Sequence, residues 1–154
     1  MNIEDMLADD AIIPRLDADD KKQALQALAA KASTATGAGA PDIYAALLQR
    51  ERLSSTSLGR GIAIPHVKLP SVTAITCIFA RLERPIPFES HDGEPVDLLF
   101  FLLAPEGAGA DHLKALARIS RLVRDPATLE GLRNAEDVSA LRNVLVNPVT
   151  SHAA

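Results

Sequence analysis

Val96-Asp-Leu-Leu-Phe-Phe-Leu-Leu103 carries one polar side chain and no alternation of apolar with polar residues. A strand with one wet face alternates with period two, whereas a strand covered on both faces does not. The run is therefore predicted to be a central strand with helices packed on both sides. Two further β-favouring runs, Ile62 to Pro65 and Val72 to Leu82, precede it. Pro85-Ile-Pro-Phe88 and His91-Asp-Gly-Glu-Pro95 carry turn chemistry and separate the later strands. Upstream, Ala11 to Leu16 reads as a short strand, broken or edge-like because of Pro14.

Helical signals lie on either side of this β-rich centre. Asp17 to Asp20 offers capping side chains ahead of Lys21 to Lys31, where Leu25, Leu28 and Ala29 recur at helical spacing. Ser33 to Ala40 is small, polar and glycine-bearing, and reads as a loop. Pro41 is suited to a helical first turn, and the helix it opens runs to about Arg52 with Ile43, Ala46 and Leu47 inward. Asp111 is predicted to cap a helix to Arg124 with Leu113, Leu116, Ile119 and Val123 on one face. Asp125-Pro126 starts a short helix. Asn134 with Asp137 resembles a capping box for a last helix through Val146. The predicted fold class is α/β: a mixed β-sheet sandwiched between α-helices, in a single domain over residues 1–147, with a flexible tail over 148–154.

Composition narrows the function classes. The chain has 154 residues, 47% hydrophobic, but only 3% aromatic and no Trp, so the core is aliphatic. A net charge of −4 and the lack of a long basic run disfavour nucleic-acid binding. The single cysteine, Cys77, lies in an apolar run and reads as a small buried hydrophobe, forming neither a redox pair nor a zinc site. The acidic N-terminus lacks a signal stretch, and no apolar run reaches the ~20 residues of a membrane helix. A cytoplasmic protein without membrane insertion is expected.

Four histidines remain to be sorted. His152 falls in the tail and His91 in a polar turn. His66 follows Gly61-Ile-Ala-Ile-Pro65, at the expected end of a strand, and His112 opens a helix. A neutral imidazole is a nucleophile near physiological pH, provided that its second ring nitrogen is held as N–H, for example by a backbone carbonyl. A histidine beside a loop of free N–H groups is suited to accept a phosphoryl group. Arg50 could offer a bidentate fork to phosphate oxygens or be a solvated helix charge. His112 could donate to a bound anion from a helix start. Ser55 and Thr56 either turn the chain or contact phosphate. Arg60 and Lys68 read as solvated charges at the periphery. Two histidines without a third ligand at recognisable spacing make a metal site unexpected.

Several separated blocks, in order, resemble one family. They are Leu48-Gln-Arg-Glu-Arg-Leu-Ser-Ser-Thr-Ser-Leu-Gly59 with Gly61-Ile-Ala-Ile-Pro-His66, then Pro85-Ile-Pro-Phe-Glu89, Asp92-Gly-Glu-Pro-Val-Asp-Leu-Leu-Phe100, His112-Leu-Lys-Ala-Leu-Ala117 and Ile119-Ser-Arg-Leu-Val-Arg-Asp125. Together they resemble the phosphotransferase-system enzyme IIA proteins of the fructose/mannitol and nitrogen-regulatory (PtsN-like) class, over about residues 3–146. The resemblance implies a phosphohistidine carrier that works as one component of a relay and needs no cofactor. It implies that His66 accepts the phosphoryl group from an HPr/NPr-type phosphocarrier protein, with Arg50 and His112 beside it and Ser55 and Thr56 in the neighbouring loop. A nitrogen-regulatory member controls regulatory protein targets; a sugar-transport IIA passes the group to a IIB domain. Within this resemblance, the Arg50-Glu-Arg-Leu-Ser-Ser-Thr56 block and the Ile62-Ala-Ile-Pro-His66 run lean towards the regulatory branch. A binding module without transfer, and a histidine-dependent phosphatase, are the competing classes. Ser57, Arg60 and Val67 depart from residues common in the family at those positions.

Overall fold

The computed structural model describes residues 2–147. The predicted tail 148–154, with His152, lies outside the described residues. The elements run α1 (Ile3–Met6), β1 (Leu7–Leu16), α2 (Lys21–Thr36), α3 (Ala40–Leu53), β2 (Ser57–Gly59), β3 (Ile62–Ala63), β4 (His66–Leu69), β5 (Thr76–Ile86), β6 (Val96–Pro105), α4 (Ala110–Leu122), α5 (Pro126–Asn134) and α6 (Val138–Val146). Six strands form one mixed sheet in the order β1-β5-β6-β3-β2, with β4 also on β6.

The strand that lacks alternation is the centre of this sheet. β6 pairs antiparallel with β5 on one edge and parallel with β3 and β4 on the other. Leu98 to Ala104 are all almost completely buried, so both faces of β6 are covered. Phe79 and Phe100 face each other across the β5–β6 ladder with ring centroids 5.0 Å apart, edge to face. That arrangement sets the ring edge of one against the π-face of the other. The α/β layer prediction holds.

The boundaries differ from the sequence reading for local reasons. β1 is longer than expected and starts at Leu7, although its place at the sheet edge, with Pro14, is as predicted. Arg142 of α6 donates to the carbonyls of Ala8 and Asp9, which satisfies part of β1's backbone. α2 runs through Ser33 to Thr36, where a loop was expected. The Thr34 and Thr36 hydroxyls donate to the carbonyls four residues back, so these polar side chains bond along the helix rather than breaking it. The stop comes at Gly37, left-handed at φ 83°.

β5 begins only at Thr76, not Val72, and continues through Pro85 to Ile86. Pro85 is tolerated because the β5–β6 register shifts between Arg81 and Ile86. α4 has no side-chain cap: Gly109 precedes it, and Asp111 lies inside the first turn. Its inward face is His112, Ala115, Ile119 and Leu122, while Leu113 is 67% exposed. Asn134 ends α5 instead of starting α6; Asp137 caps α6 through Ala140 N–H. Asp20 and Asp125 cap α2 and α5 as predicted. The four-residue helix α1, with its Asn2–Asp5 capping box, was not foreseen.

The β2–β3 turn is held tightly. Gly61 sits at φ +81°, and a Cβ there would lie 2.7 Å from both Arg133 Nη2 and Asp97 Oδ1. Those two atoms pair with each other at 2.8 Å. Gly61→Ala should therefore lower stability by about 2–3 kcal/mol, from left-handed strain plus a displaced charge pair. The midpoint of urea unfolding measures this, and an unchanged midpoint would show that the turn relaxes freely. Arg60 is also left-handed, at φ 57°. Three bonds hold it there: its N–H to Asp92, its guanidinium to Val123 O, and its carbonyl to Arg133. These contacts account for an arginine in a backbone region that L side chains avoid, and Arg60 is not simply a solvated charge.

Candidate functional site

Proline decides the local path into the site. β3 and β4 both lie beside β6 in one continuous register, Ala63 opposite Leu99 and His66 opposite Leu102. Ile64 and Pro65 interrupt the strand between them. Pro65 has no N–H to give, but its carbonyl accepts from Leu102 N–H. Ile64 N–H turns instead to Thr56 O at 3.0 Å. His66 thus opens β4, whereas the sequence reading set it at the end of the preceding strand.

This break orients the ring. His66 Nδ1 lies 2.8 Å from the carbonyl of Ile64. A carbonyl only accepts, so Nδ1 carries the proton and the free lone pair belongs to Nε2. His112 stands across from it, ring centroids 5.6 Å apart and planes tilted by 51°. His112 is buried, and its Nδ1 meets no partner among the described residues. Arg50, in the last turn of α3, donates one guanidinium N–H to Ser54 O at 3.1 Å. His66, His112 and Arg50 line one open depression of about 390 Å³ together with Ala46, Gln49, Leu53, Val67 and Lys68.

Burial holds the pKa of His66 below its usual 6.5, and the nearby Arg50 charge adds to this. The Ile64 hydrogen bond and the Glu51 charge oppose the shift. Burial also lowers His112, helped by His66 and Lys68. Both rings therefore stay neutral to lower pH than free imidazole. On acidification the unfolded chain takes up protons near pH 6.5 before the native rings do. Stability should fall as pH drops through 6.5 and should level off below the native pKa values. Proton NMR titration of both rings checks this; midpoints at or above 6.5 would contradict it.

Ser55 and Thr56 do not line the depression. The Ser55 hydroxyl donates to Phe88 O at 2.8 Å and accepts from Ser57 N–H. Thr56 is buried, and both its N–H and its hydroxyl donate to Glu51. Of the two readings left open, their bonds match the turn. Ser57 accepts from Gly59 N–H, and Val67 is buried opposite Leu103, so both departures from the family pattern have structural places.

Sequence reading missed Glu51, a buried carboxylate that is paired with Lys21 at 2.9 Å. A signal was available: Ile43, Leu47 and Glu51 fall on one buried helix face at i, i+4 and i+8. Lys68, read as peripheral, is exposed but borders the depression. Cys77 is fully buried and its pKa is pushed up to about 12, so the thiol is inert. Among the described residues, no group of three or more His, Cys, Asp or Glu side chains is arranged to hold a metal ion. No described helix is long and apolar enough to cross a membrane.

Comparison with known proteins agrees with this fold. Residues 5–147 match the family model described as "Phosphoenolpyruvate-dependent sugar phosphotransferase system, EIIA 2". The chain is 56% identical to a nitrogen regulatory protein of Bradyrhizobium diazoefficiens, over 99% of this chain and 100% of that protein. It is 39% identical to a fructose-specific EIIA component of Haloferax volcanii, over 68% of each. The fold superposes on the nitrogen regulatory protein IIA-Ntr of Neisseria meningitidis with a TM-score of 0.88 and 30% identity, covering 93% of this chain and 98% of that one.

Proposed function

We propose a phosphoryl-carrier function from one premise: the chain belongs to the EIIA 2 family of the phosphoenolpyruvate-dependent sugar phosphotransferase system. The observation that carries the reading is the 2.8 Å bond from His66 Nδ1–H to Ile64 O, which leaves Nε2 as the nucleophile. In the transfer step the Nε2 lone pair attacks phosphorus and the Nε2–P bond forms. The donor's P–N bond breaks and its electron pair returns to the donor ring nitrogen. His66 keeps its Nδ1 proton throughout.

Arg50 binds two equatorial phosphoryl oxygens with its fork. His112, neutral because it is buried, donates from Nε2–H to another oxygen. Ser55 and Thr56 act through the loop that they hold. The donor is an HPr/NPr-type phosphocarrier in the cytoplasm. Leu53, which lines the depression, and Leu113, next in sequence to His112, are 79% and 67% exposed and suit a protein partner.

The 56% identity over the whole chain favours the nitrogen-regulatory branch, in which the phosphorylation state is read by regulatory targets. The second reading, a fructose-type IIA feeding a IIB domain, is favoured by the 39% relative. One experiment tests both. The protein is incubated with phosphoenolpyruvate, enzyme I and an HPr-type donor, and then challenged with a fructose-type IIB domain. Acid-labile, base-stable label that stays on the chain is the expected result. Absence of label removes the carrier reading, and rapid loss to the IIB domain removes the regulatory one.

A further inference from the structure

A continuous series of hydrogen bonds leads to the His66 ring from a carboxylate outside the depression. Lys21, the first residue of α2, pairs with Glu51 Oε1 at 2.9 Å. Its ammonium also lies 4.5 Å from the Phe88 ring centroid. Glu51 accepts the Thr56 N–H on Oε1 at 3.3 Å and the Thr56 hydroxyl on Oε2. Thr56 O accepts Ile64 N–H at 3.0 Å, and Ile64 O accepts His66 Nδ1–H at 2.8 Å. Each link orients the next.

We propose that Glu51 is a positioning residue for phosphoryl transfer, acting on His66 through Thr56 and Ile64 to hold the Nδ1–H tautomer. This inference rests on the reading of His66 as the acceptor. Burying a carboxylate carries a desolvation cost, and an apolar residue would continue the face already made by Ile43 and Leu47. What calls for a carboxylate here is not the helix face but the buried Thr56, whose N–H and hydroxyl both donate to Glu51 and whose carbonyl leads on to Ile64.

The interrupted strand supplies the need. Ile64 falls between β3 and β4, and its N–H is anchored by Thr56. Released from Thr56, Ile64 can rotate and withdraw its carbonyl from Nδ1. Either ring nitrogen is then free to hold the proton, and molecules protonated at Nε2 cannot attack. Charge enters as well. Once Nε2 carries phosphorus and Nδ1 keeps its proton, the ring bears positive charge, which the Glu51 carboxylate stabilises. The charged groups around this series are Lys21, Lys22, Arg52 and Glu89 beside Glu51, and Arg50 and Lys68 beside the rings.

The test uses the full chain without phosphorylation for one readout and with the HPr-type donor for the other. Nitrogen NMR of the His66 ring, above its pKa, reports the tautomer. Glu51→Leu should give a mixture of tautomers in place of Nδ1–H alone. It should also lower kcat roughly 10-fold with KM unchanged, as loss of an outer partner does elsewhere. Glu51→Gln keeps an acceptor for Thr56 N–H and should restore the tautomer. If Glu51→Leu does not fold, Glu51→Asp decides, because its shorter side chain withdraws from Thr56. A folded Glu51→Leu or Glu51→Asp with an undiminished Nδ1–H tautomer overturns the proposal, as does a change in KM alone. The tautomer readout does not depend on transfer, so failure of the carrier reading and failure of the Glu51 proposal are distinguishable.

Discussion

His66→Ala is expected to take no acid-labile phosphoryl group from the donor, with label at background rather than reduced. No other side chain at the site substitutes for it. His112 is buried, with its ring centroid 5.6 Å from that of His66, so a phosphorus aligned for His66 Nε2 is out of line for it. The Ser55 hydroxyl is bound to Phe88 O, and the Thr56 hydroxyl is bound to Glu51. Cys77 is buried in the sheet and fully protonated. The substitution removes a half-buried side chain whose single recorded bond is to Ile64 O, so the fold should persist with a stability loss of about 1 kcal/mol. Label counting on the folded variant is the measurement. Label remaining on His66→Ala would move the acceptor elsewhere and end the central reading.

Arg50→Ala should slow transfer by about 100-fold, mostly in kcat, because a preorganised cation meets the charge that develops on the phosphoryl oxygens. Arg50→Lys should recover only part of the rate: an ammonium supplies charge but not the planar fork. The variant also loses the donor to Ser54 O at the end of α3, an exposed bond that is worth about 1 kcal/mol. A second readout separates the two roles. Arg50 helps to lower the His66 pKa, so its removal should raise that pKa and move the acid limb of the rate profile to higher pH. Unchanged kcat and an unchanged acid limb would remove Arg50 from the site.

The layer architecture could be read from β6 because burial on both faces erases the alternation that a half-wet strand shows. Capping at Asp20 and Asp125 was equally plain, since each cap is a local bond to an N–H within three residues. Helix ends that depend on contacts were not. α2 overran Thr34 and Thr36 because their hydroxyls could bond back along the helix. The α4 face was misread at Leu113, which is exposed while His112 takes the inward position; Ile119 and Val123 are buried and Leu116 packs against the core, as expected. Periodicity assigns an inward face to apolar residues, and a buried histidine breaks that rule.

By itself the sequence determined the fold class, the family blocks and the candidate trio His66, His112 and Arg50. These are written in local patterns: hydrophobic runs, turn residues and the order of the motifs. Only the tertiary structure decided which ring nitrogen of His66 is free, that Ser55 and Thr56 hold a loop, and that Glu51 is buried beneath it. Those properties depend on which carbonyl faces which N–H across the break at Ile64–Pro65. That geometry exists only once β3 and β4 are both paired with β6.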